Sequence, residues 1–169
     1  MNIGYKLFEM DIRTNKLYPL FIGKTEETKV SKWVHAEFIP TKGFAVRAGW
    51  HLGLIPSAPH LIGADGTYKS KRGKNFKRVW CEVEYNANHD YNDYVQTLPK
   101  KCITDGIPED GFYNFKEANG ALWIITSDIR IKKVFTESER CDILKSHGFD
   151  EQKAIAKRVE ILNKKHLTS

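Results

Sequence analysis

Cysteine is scarce in this chain. Cys81, Cys102 and Cys141 stand far apart in 169 residues and form no CxxC or Cys/His metal spacing. Neither a disulfide framework nor a structural zinc site is supported, and the three are expected to be buried, reduced thiols. Long apolar runs are missing too, so nothing reaches the length needed to span a bilayer. The opening MNIGYKLFEMDIR carries acids early and has no continuous apolar core. That is unlike a secretion signal, and the cytoplasm is the expected compartment. Also missing are the Walker phosphate loop, the GxGxxG fingerprint, the HExxH zinc motif and the GxSxG elbow. Internal repeats, low-complexity tracts and linkers are lacking, so residues 1–169 read as a single domain.

What is present is the composition of a globular domain, 41% hydrophobic and 28% charged, with a net charge of +6. Such a charge favours contact with polyanions without requiring it. Residues 5–22 read as a β-hairpin turning at Thr14-Asn15, with Pro19 interrupting the second strand or placing it at an edge. Trp33–Ile39 is a third apolar segment, in which His35 reads as a packed or hydrogen-bonded structural histidine. A short strand is expected over Phe44–Arg47.

VWCEVEY, residues 79–85, has the clearest strand alternation. Val79, Cys81, Val83 and Tyr85 share one face, and Trp80, Glu82 and Glu84 the other. The paired carboxylates suit either acid–base chemistry or the wet face of a half-buried sheet. Asn86–Asp110 reads as a long polar connection. GFYNF follows as a short aromatic strand. ALWIIT and IRIKKVF then read as two strands joined at Ser127-Asp128, or as one bent strand.

The C-terminal third is expected to be helical. Thr136 and Glu139 fit a capping box, Gly148 suits a helix C′ position, and Asp150 caps a second helix. In that helix Ile155, Val159 and Leu162 line one face, and Lys153, Lys157, Arg158, Lys164 and Lys165 the other. The fold class is therefore α+β, a mostly antiparallel sheet followed by two C-terminal helices.

Two stretches carry chemistry. The first, FAVRAGWHLGLIPSAPHLIG (residues 44–63), gathers Arg47, Trp50, His51, Ser57 and His60 among glycines and prolines. An arginine there suits a phosphate or carboxylate, a histidine a ribose or a proton, and Trp50 a flat base. Alternatively Trp50 anchors the core and Arg47 makes a surface ion pair. Ser57 lies near both histidines without an oxyanion-hole context, and no metal is expected. The second stretch places Lys69, Lys71, Lys74, Lys77, Arg72 and Arg78 within ten residues, with Phe76 interleaved and Tyr68 just ahead. It reads as a solvated loop or as an arm contacting nucleic-acid phosphates.

The order RAGWH, Pro56, His60 and VWCEVEY, followed by GFYNF and ALWIITSDIRIKKVFTESE, resembles a domain of phage and mobile-element polyvalent proteins, some of them ADP-ribosyltransferase-like. The related pattern carries a proline where this chain has Ala48. The resemblance implies NAD in a cleft between short sheets, held by Arg47 or His51 with Tyr113 midway. It also implies a catalytic glutamate near the last strands. ALWIIT contains no acid there, so Glu82 is the expected substitute, with Glu84 and Asp128 as alternatives. On this reading His51, Tyr113 and Glu82 are catalytic, and Arg47, Trp50, Ser57 and His60 bind NAD or a related nucleotide. The alternative is a non-enzymatic module that binds nucleic acid or a host macromolecule through the 69–78 arm. Neither reading involves a membrane.

Overall fold

The first strand sets the frame for the rest. In IGYKLFEMD, residues Phe8 and Met10 point to one side and Tyr5, Leu7 and Glu9 to the other, the period-two pattern of a strand with two unlike faces. A computed structural model describes residues 2–21, 25–38, 47–118 and 120–168. Its strands are β1 (Ile3–Asp11), β2 (Leu17–Tyr18), β3 (Trp33–His35), β4 (Trp50–Gly53), β5 (Phe76–Tyr85), β6 (His89–Asp90), β7 (Gly111–Lys116), β8 (Leu122–Thr126) and β9 (Asp128–Val134). The helices are α1 (Asn92–Gln96), α2 (Glu137–Ser146) and α3 (Glu151–Thr168).

The strands form one sheet in the order β3-β9-β5-β1-β4-β8-β7-β6, with β2 paired to β1. Every pairing is antiparallel except β6 with β7. The fold is α+β, and the expected hairpin and two C-terminal helices are present. Among the described residues no helix is long and apolar enough to cross a membrane.

Ser127 alone separates β8 from β9, yet three strands lie between them in the sheet. The sheet must therefore roll until its ends approach. ALWIIT and IRIKKVF are thus two strands at a corner, each in its own ladder. Inside the roll lie Phe8, Leu52, Val83, Ile124, Ile129 and Ile131, all at most 2% exposed. Val79, Cys81, Val83 and Tyr85 line this inner face as their alternation predicts, and Trp80 packs outside against Leu7 and Ala58. Gly111 closes the corner beside β6, because a Cβ there would sit 2.2 Å from the His89 carbonyl oxygen.

The connection 86–110 is more ordered than its composition suggests. It contains β6 and α1, and it buries Val95 and Cys102 against Tyr113 and Ile125 as a second cluster. Small apolar residues set among polar ones were enough to fold it down. The expected strand at 44–47 and residue Ile39 fall mostly outside the described residues.

Both helix starts follow their sequence signals. Thr136 Oγ1 accepts from the Glu139 amide at 3.2 Å, and the Glu139 carboxylate accepts from the Thr136 amide at 2.9 Å. Lys133, donating to the Glu139 carboxylate, is the main cause that holds this carboxyl down to about 2, and the Thr136 amide adds to it. Asp150 Oδ1 accepts from the Lys153 amide at 3.2 Å, and Gly148 takes the left-handed C′ conformation at φ 68°. Arg140 joins the two helices to the strand layer. Its buried guanidinium donates to Glu151 at 2.6 and 2.5 Å, to Glu137, and to the Pro56 carbonyl at 3.0 Å.

Candidate nucleotide site on the outer sheet face

Strand β4 enters the sheet with Trp50 and Leu52 turned into the roll. Alternation therefore sends His51 to the outer face. Its cross-strand partner on β8 is Ile125, whose partner on β7 is Tyr113. The row above runs Gly53, Trp123 and Phe115. The outer face of β4, β8 and β7 is thus a partly aromatic floor, whose Ile125 and Tyr113 are covered by Val95 and Cys102 of the 86–110 connection.

Arg47 lies over this floor. Its guanidinium stacks 4.1 Å from the Phe115 ring centroid and meets the Glu117 carboxylate at 3.3 Å. The Arg47 and Glu117 side chains remain 21% and 39% exposed. His51 Nε2–H donates to the Arg47 carbonyl at 2.7 Å, which ties the strand to the preceding turn. Gly49 makes that turn at φ 128°, where an added Cβ would sit 3.0 Å from the Thr126 carbonyl. Burial is the main cause that pushes the His51 pKa down to about 4, with Lys6 and Arg47 adding to it against the Arg47 hydrogen bond. At neutral pH this imidazole is uncharged, with Nε2 spent on the carbonyl and Nδ1 left as an acceptor.

Beneath β4, the Lys6 ammonium donates to the His51 carbonyl at 3.2 Å and faces the Phe8 and Trp50 rings. Burial lowers its pKa to about 8. The site therefore sits above a second positive centre, within the low-dielectric roll.

Of the expected site residues, Arg47, His51, Tyr113 and His60 come together on or beside this face. His60 packs edge-on to Trp123, with ring centroids 5.6 Å apart. Its pKa is lowered, first by burial, with the Glu117 charge opposing. Tyr113 is 0% exposed under the 86–110 connection, with its hydroxyl accepting from the Ile103 amide at 3.3 Å. Burial raises its pKa to about 12. It shapes the site and does not reach solvent.

The other expected residues lie elsewhere. Trp50 faces into the roll and donates from Nε1 to the Val34 carbonyl at 3.0 Å, as its core-anchor reading predicts. Ser57 Oγ is 3.4 Å from the Tyr68 hydroxyl, which also accepts from the Ala58 amide at 2.9 Å. Glu82 stands on β5 opposite Lys133 and Tyr5, with β1 between it and β4. Glu84 binds Arg130, and Asp128 binds His35. Among the described residues no group of three or more His, Cys, Asp or Glu side chains is arranged to hold a metal ion.

The basic arm divides. Lys69, Lys71, Lys74 and Lys77 are exposed. Arg72 instead donates to the Pro19 carbonyl and packs toward the Phe76 ring. Arg78 is buried, with Nε 3.0 Å from Glu9 Oε1, and Ser70 Oγ donates to the other Glu9 oxygen at 2.6 Å.

Phe115 and Glu117 are the residues that sequence reasoning missed. Strand parity from Tyr113 already puts Phe115 on its side of β7, and Glu117 lies just past the strand end at Lys116. The turn that returns Glu117 to the face, with its amide donating to the Ala121 carbonyl at 2.8 Å, was the hidden part. Compared with protein families, curated proteins and solved structures, the chain matches none of them.

Proposed function

We propose that the outer face of β4, β8 and β7 binds NAD or a related nucleotide, as an ADP-ribosyltransferase-like domain of phage or mobile-element type. The observation that carries this reading is the half-exposed Arg47–Glu117 pair on the Phe115 ring, beside a neutral His51. A guanidinium backed by an aromatic ring and aligned by a carboxylate is suited to grip a diphosphate bidentately. Incoming phosphate competes with Glu117 for Arg47. The released carboxylate then faces the ribose, where negative charge stabilises a developing oxocarbenium ion as nicotinamide departs with the glycosidic electron pair. The acceptor nucleophile bonds to C1′ and gives its proton to water. Glu117, rather than Glu82, fills the glutamate role in this account.

Thermal unfolding with NAD, ADP-ribose and a short oligonucleotide in parallel tests it. A ligand binding only the folded state adds about 2.7 kcal/mol at a hundredfold excess over Kd. Stabilisation by NAD or ADP-ribose, lost in Arg47→Ala, is the expected result. No shift with either nucleotide at any concentration would remove the reading.

A second reading has its own observation. Lys69, Lys71, Lys74 and Lys77 project from a segment pinned by Ser70 to Glu9 and by Arg72 to Pro19. Cations on a fixed frame suit a polyanion, and such binding would fall steeply with salt. Stabilisation by the oligonucleotide alone would favour this non-enzymatic module.

A further inference from the structure

Edge strand β3 carries two uncovered side chains at one spacing and on one side. Alternation aligns Trp33 with His35, about 6.8 Å apart along the strand. Trp33 is 48% exposed, and the His35 side chain is 67% exposed. Each stands opposite a charged residue of β9, Trp33 to Arg130 and His35 to Asp128.

Both rings are held in place. The Arg130 guanidinium lies 4.9 Å from the Trp33 ring centroid and is itself fixed by Glu84, at 2.6 Å from Nη2 and 3.2 Å from Nε. His35 Nδ1 is 2.8 Å from Asp128 Oδ1. Asp128 Oδ2 in turn accepts from Ser127 Oγ at 2.6 Å and from Asn86 Nδ2 at 2.9 Å. One face of Trp33 thus rests on a cation. Anchoring His35 through Nδ1 turns Nε2 away from the protein. Tethering a half-exposed aromatic ring this way removes the ordering cost that a ligand would otherwise meet.

The surroundings select the ligand. Lys32 is exposed next to Trp33, and Lys132 follows Arg130 on β9, 4.0 Å from Glu84. Glu84 and Asp128 are already engaged, by Arg130 and His35 respectively. Arg130 lies against the indole, and the exposed Lys32 and Lys132 put further cations beside it, while the exposed Val30 and Phe38 lie outside β3. A flat, anionic chain finds both a stacking surface and counter-charge.

We propose that β3 is a platform for unpaired nucleic-acid bases. One base stacks on the open face of Trp33, the next reaches the His35 imidazole, and Lys32 and Lys132 meet the intervening phosphate. Stacking on such rings tolerates any base, because every base has a π-face, and duplexes are excluded because their base faces are covered. The proposal uses neither Arg47 nor the lysines of the 69–77 segment.

The test is fluorescence anisotropy of a labelled single-stranded oligonucleotide, with a duplex of the same sequence in parallel. The protein is the full chain, checked for folding by circular dichroism. Trp33→Ala is expected to weaken single-strand binding roughly 5- to 150-fold, while Trp33→Phe keeps most of it. His35→Ala should weaken it less. Equal affinity of Trp33→Ala and the unmodified chain would overturn the proposal, as would equal affinity for the duplex or no binding at all. Loss of binding in Lys71→Glu/Lys74→Glu with Trp33→Ala unaffected would assign the contact to the basic segment and overturn it too.

Discussion

Arg140→Ala should cost about 3–5 kcal/mol of folding stability, the range for removing one partner of a buried ion pair. Arg140 is 3% exposed, and Glu151, its main partner, is 9% exposed. Burial opposes the Arg140 charge, but the hydrogen bonds it donates to Glu151 and Glu137 outweigh it and raise its pKa. Removing it leaves the Glu151 carboxylate buried without a cation and the Pro56 carbonyl without a donor. Three separate segments then lose their common contact: α2, α3 and the turn leading to Ser57 and His60. Urea unfolding should show a lower midpoint at unchanged slope. Replacing the pair together, as Arg140→Met with Glu151→Met, should cost far less, because no charge is left stranded. A loss under about 1 kcal/mol in Arg140→Ala would mean that the pair does not organise this junction.

Arg78→Ala should be destabilising by about the same amount, for the same reason. Glu9 is 1% exposed and the Arg78 side chain 7%, so the carboxylate would keep only Ser70 as a donor. Lys71→Glu and Lys74→Glu change exposed positions and should leave stability within about 0.5 kcal/mol. The contrast separates two kinds of residue that the sequence groups together. If Arg78→Ala unfolded at the same urea concentration as the parent chain, the buried pair would not be contributing to stability.

This separation shows what the sequence could convey. Arg78 ends a run of cations with no acid among them, and its partner is sixty-nine residues away on β1. Composition reports charge but not the cross-strand register that puts Glu9 opposite Arg78. Where the information is local, it was legible. The capping box at Thr136, the C′ glycine at 148 and the alternation of VWCEVEY each depend on neighbours within a few residues. The stretch around His51 stands out through its glycines and its clustered polar side chains, yet Leu52, Ala58 and Ile62 within it belong to the core.

The partners of that stretch were harder to see. Trp50 and His51 are adjacent in sequence, so both looked available, yet a strand sends them to opposite faces. Glu117 sits across β8 from Arg47, and only the ladder β4-β8-β7 brings them together. ALWIIT holds no acid, and on the proposed reading the carboxylate is Glu117, just past the end of the neighbouring strand β7. The roll of the sheet was hidden for a similar reason. It follows from β8 and β9 belonging to different ladders, which no local pattern at Ser127 reveals.

On the proposed reading, Glu117 occupies Arg47 until the diphosphate of a nucleotide takes its place. Calorimetric titration of NAD into the full chain and into Glu117→Gln measures this directly. A glutamine keeps the shape but loses the charge that competes with phosphate. The account predicts several-fold tighter NAD binding in Glu117→Gln than in the parent chain, and none in Arg47→Ala. Equal or weaker binding in Glu117→Gln, or no binding heat in either protein, would contradict it.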